Sequence, residues 1–293
     1  HPVNARIPNV LLLPLFLIAV SCARDRAPVG ALGNGTHKVS TRQVVKPAGE
    51  SVTFNGRPVD LALSPAGTTL FVKDNRGIVV IDVQTWKMRQ ELPFGKDLGG
   101  SMHGIAVSSD GARVYATSAQ HLLFEGAIAS DGTISWSRTF SLPGPAGNTD
   151  SSHATGIALT EDGRRAYVCL SRNNALAEVD LELGAIVRQF PVGVAPYDTI
   201  LADDGRTAIV SNWGGRQPQA GERTALSSGT PVAVDERGVA STGSVVEIDL
   251  ASGEIRATFD TGLHPCDLAL APDEKTIYVA DANSDTITLI ERR

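Results

Sequence analysis

The sequence predicts an all-β fold with radial repetition of one four-stranded unit, and three observations support this. The 293 residues include 29 glycines but only 5% aromatic residues, which without a collagen period indicates many tight turns between short strands. Short apolar runs rich in β-branched residues alternate with polar turns, and none is long enough to show a helical period. Versions of one short pattern recur along most of the chain.

The recurring pattern gives the length of the unit. One copy, Arg-Pro-Val-Asp-Leu-Ala-Leu-Ser-Pro, begins at Arg57, and four related copies follow. The position that we take as equivalent in the five copies is held by Asp60, Gly104, Gly156, Asp198 and Asp267. These residues are 44, 52, 42 and 69 positions apart. A period near 42 is the length of a propeller blade.

Each copy predicts four strands in a fixed order. A first strand of small apolar residues, such as 61–64, ends in a turn such as Asp110-Gly111, which supplies the positive φ that tight hairpins require. A second apolar strand follows, for example 277–280. The third strand is seen at 78–82, and the fourth, which is more polar, at 88–92.

The run from Gly193 allows a more specific interpretation. Gly-Val-Ala-Pro-Tyr-Asp is followed by Asp-Asp-Gly-Arg-Thr-Ala-Ile-Val-Ser-Asn and by Val-Val-Glu-Ile-Asp-Leu-Ala-Ser-Gly. This series resembles the YVTN-type (YncE-like) β-propeller repeat over about residues 54–293. More narrowly, residues 56–74 and 193–239 resemble the propeller that precedes an alkaline-phosphatase-like phosphoesterase domain in some exported bacterial proteins. No such domain is present in these residues.

The resemblance implies a division into blades. We place them at about 54–95, 96–148, 149–194, 195–263 and 264–293, the last without its fourth strand. Because such repeat propellers usually have seven blades, the resemblance implies the front part of a longer, seven-bladed chain. The alternative is a five-bladed ring in which a strand from 42–55 completes the last blade.

Residues 1–22 are predicted to be an export signal. Arg6 precedes an apolar run of about eleven residues, which is too short to span a bilayer as a helix. The run ends in Ala-Val-Ser-Cys, which resembles the lipobox of bacterial lipoproteins, and in that family Cys22 becomes the lipidated first residue. An ordinary signal cleaved nearby is the alternative. Residues 23–41 are predicted to be a flexible tether, so we expect a periplasmic or cell-envelope protein held by a lipid anchor.

Charge and cysteine content exclude several classes of protein. The formal net charge is −6, and no basic stripe is present to neutralise phosphates, so we expect no nucleic-acid partner. We expect membrane contact only through the lipid anchor. Outside the signal, Cys169 and Cys266 lie about a hundred residues apart, which excludes a disulfide framework and every paired CxxC zinc pattern.

Propeller topology predicts where ligand-binding residues lie. The connections into the innermost strands, together with the loop 212–243, belong to one face, where the central channel opens. Arg57, His153 and His264 share one register before the first turn of their blades, so we expect them to point at a common region. The candidate ligand-binding residues on this channel face are Arg57, His103, His153, Tyr197, Asp198, Trp213, His264 and Asp267.

The chemistry of this face is open at the level of sequence. Imidazoles near aspartates can bind a metal ion or an anion, or hold a general base, and His153 and His264 are the candidate metal ligands. Apart from such a channel-bound metal ion, we expect no cofactor. Alternatively, Asp60, Asp198 and Asp267 cap the first strands by accepting backbone amides. No HExxH or Gly-x-Ser-x-Gly motif is present, so the catalytic residues are unknown.

Two functions from different classes follow. The first is an exported, lipid-anchored binding or scaffold module that holds a ligand or partner on the channel face; by resemblance, it is accessory to a phosphoesterase domain further along the chain. The alternative is a propeller hydrolase of the lactonase type, because such propellers place histidine, arginine and acidic side chains at the same channel mouth. A structural protein that only spaces other components is a third reading, and fold alone does not separate the three.

Overall fold

The computed structural model describes residues 29–33, 35–145, 150–227 and 229–292, so the predicted export signal and Cys22 lie outside the described residues. The chain divides after Ser51 into two compact units. The first unit contains a small antiparallel sheet of strands β1 (Gly30–Ala31), β2 (His37–Lys38) and β3 (Val44–Val45). Strand β3 belongs to the segment 42–55 and pairs with β2. The pairing of that segment with the last blade stays a prediction.

The second unit is a β-propeller of four-stranded antiparallel blades, which confirms the predicted fold class. Blade 1 consists of β4 (Pro58–Leu63), β5 (Thr69–Asp74), β6 (Gly77–Asp82) and β7 (Lys87–Pro93). Blade 2 consists of β8 (Gly100–Val107), β9 (Arg113–Ser118), β10 (Leu122–Ile128) and β11 (Ile134–Ser141). Blade 3 consists of β12 (Ala154–Leu159), β13 (Arg165–Leu170), β14 (Ala175–Asp180) and β15 (Ala185–Pro191).

The last two blades depart from this regular arrangement. Blade 4 consists of β16 (Pro196–Ala202), β17 (Thr207–Asn212), β20 (Ser244–Asp249) and β21 (Ile255–Asp260), with a hairpin of β18 (Thr224–Ser227) and β19 (Thr230–Ala233) in the insertion after β17. Blade 5 has three strands in the described part of the chain, β22 (Pro265–Leu270), β23 (Thr276–Asp281) and β24 (Thr286–Glu291). In the described ranges, no helix is long and apolar enough to cross a membrane.

The turns between first and second strands have the backbone that their sequence predicts. Gly111, Gly163 and Gly205 adopt φ of 69°, 66° and 78°, a region where a side chain is disfavoured and glycine is not. In blade 5, Glu274 takes this place with φ 55°. The amide of Gly111 donates to Ser108 O at 2.9 Å and closes the turn.

Hydrophobic cores lie between consecutive blades. Phe71 of blade 1 packs in one cluster with Val114 and Phe124 of blade 2, and Tyr167 of blade 3 shares a cluster with Val210 of blade 4. Consecutive blades therefore bury apolar side chains by stacking on one another, as in other repeat folds, and blade 1 also buries Val72 and Val79 against Val52 and Phe54.

Small polar side chains of the first and second strands join blades 2, 3 and 4 each to the first strand of the next blade. Thr117 Oγ1 donates to Thr155 O at 2.9 Å, and Thr155 Oγ1 donates to Pro196 O at 3.0 Å. Ser211 Oγ donates to Cys266 O at 2.6 Å. A Cβ at Gly104 would lie 2.0 Å from Thr155 O. Close approach of the inner strands therefore explains why blade 2 has glycine where blades 1, 4 and 5 have aspartate.

Candidate functional site

Side chains from four blades meet at His103, near the middle of β8. Nε2 of His103 lies 2.9 Å from Asp198 Oδ1 of β16, and Nδ1 lies 3.2 Å from Asp60 Oδ2 of β4. Asp267 of β22 places its Oδ1 3.9 Å from Nε2. The structure thus brings three carboxylates that are far apart in sequence around one imidazole.

Two of these aspartates also bind backbone amides. Asp60 Oδ2 accepts the amides of Gly104 at 2.7 Å and Ile105 at 3.0 Å, both in the next blade. Asp198 Oδ2 accepts the amide of Leu268, also in the next blade, at 3.0 Å. The capping alternative therefore describes these two carboxylates, and each cap also joins two blades.

Asp267 differs from its two equivalents. Within the described residues no backbone amide donates to its carboxylate, and 75% of its side chain is exposed. Partial burial of its carboxylate raises the pKa of Asp267, and the charges of Asp198 and Asp60 raise it further. The charge of His103 lowers it. Asp267 is therefore the carboxylate of the group that is most accessible to a ligand.

The charges around His103 favour its protonated form. Burial alone lowers the pKa of His103, but the hydrogen bond and charge of Asp198, with the charges of Asp60 and Asp267, raise it above the ordinary value. Three carboxylates around one imidazole leave net negative charge even when the imidazole is protonated. This part of the channel face is therefore suited to positive charge.

A row of stacked rings extends from His103 across the same face. The ring centroids of His103 and Tyr197 are 5.3 Å apart with an interplanar angle of 12°. Tyr197 stacks on Trp213 at 5.1 Å, and Trp213 lies 4.9 Å from the ring of His264. Among the described residues, the buried indole N–H of Trp213 has no acceptor. This row, which we call the aromatic row, borders the carboxylates with flat apolar surface.

The structure brings together six of the eight residues proposed from sequence. They are His103, Tyr197, Asp198, Trp213, His264 and Asp267. The remaining two have other surroundings: Arg57 donates its backbone amide to Asn75 Oδ1 at 3.2 Å, and burial, with the charges of Arg172 and Lys73, lowers the pKa of His153.

The shared register of His153 and His264 has a backbone explanation. Both residues adopt positive φ, 49° and 52°, and so does Ala195 at the same position of blade 4, with φ 53°. In each case the carbonyl of this residue accepts an amide from the end of the second strand, such as Trp213 N to Ala195 O at 2.9 Å. The shared register therefore marks a left-handed residue directly before the first strand, and the common region for Arg57, His153 and His264 stays a prediction.

The donor atoms for a metal ion differ from those proposed from sequence. In the described ranges, the group of side chains that could hold an ion is His103, Asp198 and Asp267. Neither His153 nor His264, the candidate metal ligands, belongs to it. If the channel holds a metal ion, the candidate histidine ligand is therefore His103.

Lys73 beneath the site was missed by sequence reasoning. Its ammonium group is fully buried and donates to Ser101 Oγ and Thr117 Oγ1, both at 2.8 Å, and to the carbonyl of His103. Burial lowers the pKa of Lys73 to about 7, against the opposing charge of Asp60. Its signal was a lysine inside an apolar second strand, at the position of a small residue in the other blades.

An open cavity of about 560 Å³ gives access to the carboxylates. It is lined by Pro58, Val59, Asp60, Leu61, His103, Tyr197, Cys266 and Asp267. The thiol of Cys266 donates to Ala280 O at 3.2 Å. Residues of blades 1, 2, 4 and 5 therefore share one solvent-accessible space.

A wider groove of about 1140 Å³ lies between blades 4 and 5. Arg292 of this groove lies 2.8 Å from both Asp203 and Glu247 of blade 4, and Arg256 pairs with Asp249 within blade 4. The pairs of Arg292 join the two blades, so we assign the groove a structural role.

The insertion after β17 contributes one residue to the site. Trp213 takes its place in the aromatic row. Arg216 pairs with Glu222 at 2.6 Å, and Arg223 donates to Glu236 O at 2.9 Å. Both arginines are therefore engaged within the insertion.

Comparison with known proteins supports the fold alone. No protein-family model matches the chain, and no curated protein sequence matches it. A hydrazine synthase structure from Kuenenia stuttgartiensis is similar, with TM-score 0.58 and 21% identity over 85% of this chain and 67% of that one. A protein of unknown function from Desulfotomaculum acetoxidans DSM 771 has a TM-score of 0.57 and 15% identity, over 87% of this chain and 74% of that one. U3-55K has a TM-score of 0.58 and 15% identity, over 82% of this chain and 62% of that one.

Proposed function

We propose that this chain is an exported, lipid-anchored β-propeller of the YVTN type that acts as a binding module. It holds a positively charged group of its ligand at the channel mouth. The observation that supports this most directly is the convergence of Asp60, Asp198 and Asp267 on His103. Carboxylates attract a cation in a partly desolvated site more strongly than in water.

The aromatic row borders the same site. Tyr197 stacks on His103, and Trp213 stacks on Tyr197, so the faces of Tyr197 are covered by the neighbouring rings. The row therefore supplies apolar surface beside the carboxylates, which can bury the hydrocarbon part of an organic cation.

Titration calorimetry with spermidine as the probe, in the presence of EDTA, tests this proposal. We expect saturable binding that Asp267→Asn weakens by about 5-fold or more, because one exposed carboxylate is lost. Glu161→Gln, an exposed acid in a turn of blade 3, is the matched control and should leave the affinity unchanged. Equal weakening in both variants, or no binding, would contradict the proposal.

The lipid anchor is a separate part of the proposal. Its support is the apolar run and the lipobox-like end at Cys22. Expressed in a bacterial host, the full chain should fractionate with membranes and incorporate labelled palmitate. Cys22→Ser should remove both properties, and a variant that still incorporates palmitate would exclude this anchor.

The accessory role is supported by residues 56–74 and 193–239, which resemble propellers joined to phosphoesterase domains. We propose that the bound ligand is presented to such a domain. Sequencing the gene past the codon for Arg293 tests this: a phosphoesterase-like continuation supports the role, and an immediate stop codon contradicts it.

A hydrolase of the lactonase type is the second candidate, and one contact favours it. Asp60 lies 3.2 Å from Nδ1 of His103, and a carboxylate-paired imidazole is a common general base. Lactone hydrolysis that His103→Gln abolishes, and that His153→Gln leaves intact, would support this function. The absence of hydrolysis in the wild-type protein would exclude it.

A further inference from the structure

We infer that the site binds a divalent transition-metal cation through Nε2 of His103 and one carboxylate oxygen each of Asp198 and Asp267. The inference rests on the proposed binding function and deepens it, since it names a ligand of the same site. Imidazole and carboxylate together suit cations such as Zn²⁺ and Mn²⁺.

The positions of the donor atoms fit one ion. The three atoms lie within 4.8 Å of one another, and Nε2 is 2.9 Å from the Asp198 oxygen and 3.9 Å from the Asp267 oxygen. Bonds of about 2.0–2.2 Å in a tetrahedral set place donors about 3.3–3.6 Å apart. Because Asp267 is exposed, a small rotation of its side chain reaches this spacing.

The hydrogen bonds around the donors prepare them for an ion. Asp60 Oδ2 lies 3.2 Å from Nδ1 of His103, so once a cation replaces the Nε2 proton, the charge of Asp60 favours the neutral imidazole with its proton on Nδ1 and its Nε2 lone pair on the cation. This carboxylate–histidine–metal arrangement is the usual way in which proteins orient a metal-bound imidazole. Asp198 is held by the amides of Thr199 and Leu268, each on a different oxygen, and a carboxylate oxygen has a second lone pair for a metal.

Charge balance favours the cation over the proton. Protonated His103 supplies one positive charge against the three carboxylates of Asp60, Asp198 and Asp267. A divalent ion supplies two and displaces only the Nε2 proton, which goes to solvent. The cavity on the open side leaves coordination positions for water or for a ligand group. The thiol of Cys266 borders this cavity but donates to Ala280 O, so it stays outside the donor set.

The test is calorimetry of the untagged full chain with ZnCl₂ and with MnCl₂, after treatment with EDTA and dialysis. We expect one saturable site per chain. His103→Gln and Asp267→Asn should each weaken binding at least 10-fold, and Asp60→Asn should weaken it by about 10-fold through loss of orientation. Cys266→Ser and Glu161→Gln should bind as the wild type does. Unchanged far-UV circular dichroism shows that each variant is folded.

Co²⁺ supplies a spectroscopic readout that a purely structural role would not affect. Visible absorption from Co²⁺ with nitrogen and oxygen ligands should appear with the wild-type protein and disappear in His103→Gln. The inference is overturned if no saturable binding is seen up to about 1 mM metal, a concentration at which only very weak binding would escape detection. Binding that survives both His103→Gln and Asp267→Asn also overturns it.

The two proposals can fail separately. If spermidine binds in EDTA but neither Zn²⁺ nor Mn²⁺ binds, the metal inference is wrong and the binding module stands. If metal binds as described and spermidine does not, the organic-cation function is wrong and the metal site stands.

Discussion

Blades 1 to 4 and blade 5 place the same register position in different surroundings. Phe71, Tyr115, Tyr167 and Ile209 hold this position in the second strands of blades 1 to 4 and are at most 5% exposed. Tyr278 holds it in blade 5 and is 43% exposed. In the third strand, Leu176 and Val245 are fully buried, while the equivalent Ile287 is 67% exposed. Burial at these positions therefore comes from the following blade and not from the residue's own sheet.

Alanine at the two tyrosines gives the largest expected difference. Tyr167→Ala should lower the free energy of unfolding by roughly 3–5 kcal/mol, because it leaves a cavity in a packed core. Tyr278→Ala should lower it by less than about 1 kcal/mol, as at other exposed sites. Urea denaturation measures both, and similar losses would show that blade 5 is packed as tightly as blade 3.

The equivalent aspartates sharpen the comparison at the channel. Asp198→Ala should cost roughly 2–3 kcal/mol in metal-free buffer, because it leaves the amides of Thr199 and Leu268 without their acceptor. Asp267→Ala should be nearly neutral, since no amide in the described residues depends on it. Thermal denaturation of both variants provides the measurement, and the reverse order would contradict the assigned roles.

Lys73 should make the free energy of unfolding depend on pH. It holds a position that Thr117 and Ser211 hold in blades 2 and 4. Its pKa is lowered to about 7, so between pH 7 and about 10 the unfolded chain binds a proton that the folded protein has released. The free energy of unfolding should therefore rise with pH across this window by about 1 kcal/mol or more, and be independent of Lys73 below it. Lys73→Met should flatten this rise in denaturation curves at pH 7 to 10; an unchanged slope would contradict it.

The smallest expected effect concerns the left-handed residue before the first strands. Ala195 has φ 53°, so Ala195→Gly should raise the free energy of unfolding by roughly 0.5–1 kcal/mol through relief of backbone strain. The control is Ala154→Gly in strand β12, where glycine should lower stability by a similar amount. A loss of stability in both variants would show that the backbone of Ala195 is not strained.

The sequence was sufficient to predict most of the fold. Hairpin turns and strand order follow from local chemistry, so Asp110-Gly111 and its equivalents could be located without coordinates. The position of His103 among the carboxylates could not be predicted, because it depends on contacts between residues of different blades. His103 and Asp267, for example, are 164 residues apart in the sequence. The left-handed backbone of His153 and His264 could not be read from their register either, and the common region that register predicts for Arg57, His153 and His264 stays a prediction.

Stacking of consecutive blades also determines the order in which backbone amides exchange with deuterium. Blade 5 is held on one side by its cluster with blade 4 and by Arg292, which bridges to Asp203 and Glu247. Its other face has no cluster among the described residues. In a linear array, the unit with one neighbour opens at lower free energy than units with two. In this chain, amides of β24 should therefore exchange before those of β13, which makes native-state exchange a measure of cooperativity along the array.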